Sequence, residues 1–104
     1  MRVVNLRSSS FDVYIGRAGR GQSGEWGNPF TIGVDGTRAE VIAKYKTWLW
    51  QRIKCEPELR AKLRALEGKT LGCFCKPAPC HGDVIVDAVA YLKSKAGNAL
   101  FPAN

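Results

Sequence analysis

The stretch GCFCKPAPCHGD, residues 72–83, holds three of the chain's four cysteines and its only histidine. Thiolate and imidazole are the ligands zinc prefers, four in a closed site and three in a site that keeps an open position. If residues 69–75 form a strand, Cys73 and Cys75 face one side, because side chains alternate along a strand. Phe74 then points to the other side, into the core. The residues KPAP turn the chain back, and Cys80 and His81 arrive at the start of a helix. Cys73, Cys75, Cys80 and His81 are therefore the expected zinc ligands. Because Cys80 and His81 are adjacent, three cysteines with an open position form the alternative set. An iron–sulfur cluster would also accept these thiols, with His81 or Cys55 as the fourth ligand.

Metal-free chemistry is open to the same residues. A cysteine at a helix N-terminus has a lowered thiol pKa, so Cys80 is a candidate nucleophile. His81 would serve as its base and Asp83 would also move protons. The negative charge of Asp83 opposes a bare thiolate but suits a site holding a cation. Lys76 would offset the surplus charge of three thiolates. Inert, buried cysteines are the plainer alternative. That alternative does not explain why three of them share a segment with the sole histidine.

A second cluster lies upstream. Gly16, Gly19, Gly21, Gly24 and Gly27 fall within twelve positions, with Arg17 and Arg20 between them. Glycines let backbone N–H groups approach an anion, and arginine offers forked donors to phosphate. The pattern is neither a G-x-G-x-x-G fingerprint nor a Walker loop, and a plain surface loop also accounts for the glycines. Trp26 either stacks on a base or anchors its loop to the core, Asn28-Pro29 reads as a turn, and Phe30 reads as core. Arg38 stands where a helix dipole disfavours a positive charge, which points to an anion nearby. The expected ligand-binding set is Arg17, Gly19, Arg20, Gly21, Trp26, Asn28 and Arg38.

The elements that must position these groups follow from periodicity and punctuation. Residues 2–6 and 12–16 read as short strands, rich in β-branched residues. Thr37 and Glu40 form a capping box ahead of a helix, with Val41, Tyr45, Trp48, Leu49 and Ile53 on one face. Glu56-Pro57 ends that helix and opens a second, carrying Leu59, Leu63 and Leu66 and stopped at Gly68. Residues 69–75 form the third strand. Residues 83–95 form the third helix, with Val84, Ile85, Ala88, Val89 and Leu92 inward. Residues 96–104 are a weakly specified tail. The order β-β-α-α-β-α predicts one small α/β or α+β domain over 1–104, with a mostly parallel or mixed three-stranded sheet and about three helices. In such units ligands sit beyond the carboxyl ends of the strands.

Composition sets the outer bounds. The 104 residues suffice for one modest core. No apolar run is long enough to span a bilayer, and the N-terminus lacks a signal peptide's apolar stretch. The expected setting is the cytoplasm, with reduced thiols and no membrane partner. Sixteen Lys and Arg against nine Asp and Glu give a net charge of +7. Residues 37–69 carry nine basic and four acidic side chains, or +5 of that total. Such a surplus favours nucleotides or nucleic acids, or is simply a solvated helical face. Trp50, flanked by Lys46 and Lys54, offers a surface for nucleic acid or a protein partner.

The stretches VYIGR (13–17), WGNPF (26–30), GTRAEVIAKYKTWL (36–49) and GKTLGCFCKPAPCHGDVI (68–85) together resemble the family known as domain of unknown function 4326. Its members are small proteins of bacteria and bacteriophages. The resemblance implies no particular activity. It implies that the arginine loop and the cysteine–histidine segment belong to one recurrent module, placed in the host cytoplasm where a phage encodes it. The leading expectation is a zinc-binding α/β module that takes a nucleotide-like ligand or a nucleic-acid phosphate. Two others stand beside it. One is an enzyme acting on a nucleotide or nucleoside through Cys80 or zinc-bound water. The other is a phage interaction protein binding a host factor. No oligomeric state is implied.

Overall fold

In a computed structural model, residues 1–17, 24–76 and 78–102 are described. Three strands, β1 (Arg2–Asn5), β2 (Val13–Tyr14) and β3 (Thr70–Cys73), form one sheet in the order β1-β3-β2. Both pairings are parallel, with Val4 opposite Gly72 and Tyr14 also opposite Gly72. The last strand in sequence is thus the central one, and the sheet is wholly parallel. Four helices accompany it among the described residues: α1 (Arg38–Cys55), α2 (Pro57–Ala65), α3 (His81–Lys93) and α4 (Lys95–Leu100).

Local chemistry sets the helix ends. The Thr37 side chain accepts from the Glu40 amide at 3.3 Å, and Glu40 accepts from the Thr37 amide at 2.9 Å. That reciprocal pair satisfies donors that the first turn leaves open. Pro57 occupies the first turn of α2, where a missing N–H costs nothing. Gly68 takes a φ of +80° after α2, a conformation that glycine adopts without strain.

The core lies between the helices and one face of the sheet. Tyr45, Leu49 and Ile53 of α1, Leu59 and Leu63 of α2, and Ile85, Ala88 and Leu92 of α3 pack on Leu71, Cys73 and Ile15. Leu71 and Cys73 share a face by alternation, and Phe74, just past the strand, meets Tyr14, whose register partner is Gly72, on the opposite one. Phe74 is 53 % exposed, while Cys73 is 1 % exposed. The expectation of a buried Phe74 is corrected on this ground: the core is on the side of Cys73. Phe11 from the β1–β2 connection covers part of the opposite face. A Cβ at Gly72 would stand 2.6 Å from its Cγ, which is why that position carries no side chain.

Several boundaries also differ from expectation: β1 and β2 are shorter, and α3 runs from His81 to Lys93. The weakly specified tail contains α4, capped by the Ser94 hydroxyl accepting from the Gly97 amide at 3.1 Å. Its six residues are too short for periodicity to reveal. The third strand ends at Cys73 rather than reaching 75, so alternation does not govern Cys75.

Candidate functional site

The carboxyl ends of the three parallel strands open onto one cleft of about 1000 Å³. Leu6 and Arg7 follow β1, Gly16 and Arg17 follow β2, and Phe74 and Cys75 follow β3, and all six line it. The opposite wall comes from the loop of Asn28, Phe30, Thr31 and Ile32 and from the first turns of α1 and α3. The site therefore falls where parallel α/β units place their ligands.

Three arginines face this cleft: Arg7, Arg17 and Arg38. Arg17 donates to the Phe30 carbonyl at 3.0 Å, and Arg38 donates to the Pro79 carbonyl at 3.2 Å. Arg7 lies over the Phe74 ring, 5.3 Å from its centroid. Among the described residues no carboxylate lines the cleft and none is ion-paired with these three guanidiniums. Each carries five N–H donors, so most remain for a ligand. The helix ends are less free. Glu40 caps α1, and Asp83 accepts from the Cys80 amide at 3.3 Å ahead of α3. The positive charge that faces the cleft is therefore that of the arginines.

The thiols stand at the back of the cleft. The Sγ atoms of Cys73 and Cys80 are 3.4 Å apart and both residues are buried. Cys75 is half-buried and also lines the cleft. Among the described residues, no three His, Cys, Asp or Glu side chains are drawn together closely enough to hold a metal ion. His81 turns away from the sulfurs: its Nε2 lies 2.6 Å from the Ile15 carbonyl, and its ring meets Tyr45 edge-on at 5.0 Å. Burial lowers the imidazole pKa, against the opposing pull of the Ile15 and Trp26 carbonyls. The ring is thus held in the core in its neutral form.

Burial pushes the Cys80 thiol up to about 12, and the neighbouring Cys73 adds to the shift. The Gly82 amide opposes it without prevailing. Desolvation of the anion outweighs the helix end, so Cys80 is a neutral thiol near pH 7. That disfavours a metal-free nucleophile. Asp83 pairs with Lys76 at 2.7 Å, which raises the lysine pKa and commits the carboxylate to structure.

The other residues singled out by sequence are dispersed. Asn28 lines the cleft, and it also spans to the Val41 carbonyl at 3.2 Å and accepts from the Phe30 amide at 2.9 Å. Trp26 is buried in the core, with its carbonyl accepting from the Tyr45 hydroxyl at 3.1 Å. Gly19, Arg20 and Gly21 lie outside the described residues. Trp50 packs edge-on against Tyr91 at 5.2 Å, which covers part of its ring. Arg7, Phe11, Tyr14 and Phe74 line the cleft without having been singled out as binding residues. In a wholly parallel sheet, the first residues past each strand were the signal for Arg7 and Phe74.

Fold and site together define a small parallel α/β module with a basic, aromatic-walled cleft at its strand ends. The chain belongs to the family described as domain of unknown function DUF4326, whose profile matches residues 2–91. It is 44 % identical over 92 residues to the uncharacterised 12.4 kDa protein in the nrdA-td intergenic region of Enterobacteria phage T4, covering 88 % of this chain and 79 % of that protein. No solved structure matches it significantly. No helix of the described residues is long and apolar enough to cross a membrane.

Proposed function

We propose that the protein binds a nucleotide-like, phosphate-bearing ligand in the cleft beyond its strand ends. The observation that supports this reading is the set of Arg7, Arg17 and Arg38 around a cleft with no lining carboxylate among the described residues. No carboxylate lines the cleft to offset their charge among the described residues, and a bound phosphate would supply that counter-charge through charge-assisted hydrogen bonds. The volume, about 1000 Å³, is at the upper end for a small-molecule pocket. The test is calorimetric titration with nucleoside mono- and diphosphates and with short single-stranded DNA. Each charged hydrogen bond contributes roughly 1.5–3 kcal/mol, so Arg17→Ala with Arg38→Ala should weaken binding by at least about a hundredfold. Equal affinity in the double variant would reject the reading.

A second reading, zinc held by Cys73, Cys75 and Cys80, draws on one distance. Thiolates on a tetrahedral zinc at about 2.3 Å stand roughly 3.8 Å from each other, and the Cys73 and Cys80 sulfurs are at 3.4 Å. Zinc would stabilise the thiolates that burial alone opposes, and Lys76 would moderate their charge. With His81 engaged at Ile15, the donor set is the three cysteines, which requires Cys75 to close on the Cys73–Cys80 pair. Elemental analysis of protein purified without added metal should give close to one zinc per chain, lost in Cys73→Ser. Protein carrying no metal, with a melt unchanged by added zinc, would remove this reading and leave the phosphate cleft standing.

A further inference from the structure

The cleft has two chemically distinct ends, and together they select the ligand. Phe74 is more than half exposed, although it follows the central strand, and its ring is flanked by Arg7 on one side and met edge-on by Tyr14 at 6.5 Å. The Tyr14 hydroxyl in turn donates to the Arg17 carbonyl at 2.7 Å. One tyrosine side chain therefore links an aromatic platform to the residue that begins the anion end. We propose that the ligand is a free nucleoside 5′-monophosphate, its base stacked at Phe74 and Arg7 and its phosphate between Arg17 and Arg38. This rests on the phosphate reading above and specifies the rest of the molecule.

An exposed ring with a guanidinium beside it is what a base needs. Every base has a π face, and stacking on an aromatic side chain adds affinity whatever the base identity. The ligand is a monomer rather than a strand because, among the described residues, several basic side chains of α1 and α2 are held by the protein itself. Of the basic residues between 37 and 69, Lys44 bonds the Asp35 carbonyl and Arg52 pairs with Glu56. Lys62 pairs with Glu25, Arg60 donates to the Ile53 carbonyl, and Arg64 donates to the Phe101 carbonyl. Besides Arg38, five of the nine basic side chains between 37 and 69 are thus engaged within the protein, two of them with carboxylates.

The experiment compares AMP, CMP, ribose 5-phosphate, inorganic phosphate and a ten-nucleotide single strand by calorimetry on the whole chain. AMP and CMP should bind about tenfold more tightly than ribose 5-phosphate, as expected for one stacked base. Phe74→Ala should bring that ratio close to one, and Phe74→Tyr should restore it. Because Phe74 lies outside the core, a thermal melt of each variant should match the parent. A ratio near one in the parent, or a ratio that Phe74→Ala leaves intact, overturns the assignment of the base while phosphate binding stands. A single strand that binds more tightly than AMP, with a steep loss of affinity in salt, assigns the cleft to nucleic acid and overturns the monomer. If neither phosphate nor any phosphorylated compound binds, the cleft reading falls along with this one.

Discussion

Cys80 carries two opposing influences that a sequence cannot weigh. Its place ahead of α3 favours the thiolate, and its burial beside Cys73 favours the thiol. Burial prevails and sets the pKa at about 12 against an ordinary 9.0. At pH 8 such a thiol is ionised in only about one molecule in ten thousand. Iodoacetamide at pH 8 should therefore modify exposed Cys55 first and leave Cys80 intact in the native, chelator-treated protein. Urea should remove the difference. Mass spectrometry of the alkylated peptides reads it, and rapid native labelling of Cys80 would contradict the burial argument.

At the scale of elements, the approach of α3 to the sheet is what brings Cys80 within reach of Cys73. Gly82 in the first turn makes it possible: a Cβ there would stand 2.7 Å from Ile15 Cδ1 and 2.9 Å from the Val3 methyls. Gly82→Ala should lift the helix end and cost about 1–3 kcal/mol by overpacking, read as a lower urea midpoint at unchanged slope. It should also separate the two sulfurs, so that a mild oxidant joins them more slowly. The start of α1 responds to acid instead. The Thr37 amide holds the Glu40 carboxyl below its usual value of 4.5. A depressed carboxyl pKa stabilises the fold above the unfolded value, and that contribution is lost as pH falls through the lower native one. Melts taken downward from about pH 4.5 should drop more steeply in the parent than in Glu40→Gln.

Among the described residues, helices pack on one face of the sheet and Phe11 of the β1–β2 connection covers part of the other. The C-terminal segment belongs to the helical layer. Arg60 lies over the Phe101 ring at 4.7 Å, and Arg64 bonds the Phe101 carbonyl, so α4 and the residue after it tie down α2. Removing residues 95–104 should cost about 1–3 kcal/mol and expose one edge of α2 to proteolysis. Urea denaturation of the truncated chain measures the first, and limited trypsin digestion the second. A truncated protein of full stability would show that α4 is an ornament. The charge pattern also reads differently at this scale: among the described residues, five of the nine basic side chains between 37 and 69, besides Arg38, bond within the protein, while Arg7, Arg17 and Arg38 line a cleft with no lining carboxylate.

Sequence alone determined the elements whose signals are local. The Thr37–Glu40 box, the Pro57 break, the apolar faces of α1, α2 and α3, and the order β-β-α-α-β-α all follow from neighbours within a few residues. It also marked Cys73, Cys75, Cys80, Arg17 and Arg38 as chemistry-bearing. Only the tertiary structure decided that β3 lies between β1 and β2, because strand order depends on pairings some seventy residues apart. From that order came the company these residues keep: Arg7 and Phe74 join the cleft, His81 turns to Ile15, and Trp26 enters the core. Side-chain type and spacing are properties of the chain. Burial, which set the state of Cys80 and the exposure of Phe74, is a property of the side of the sheet on which the helices settle.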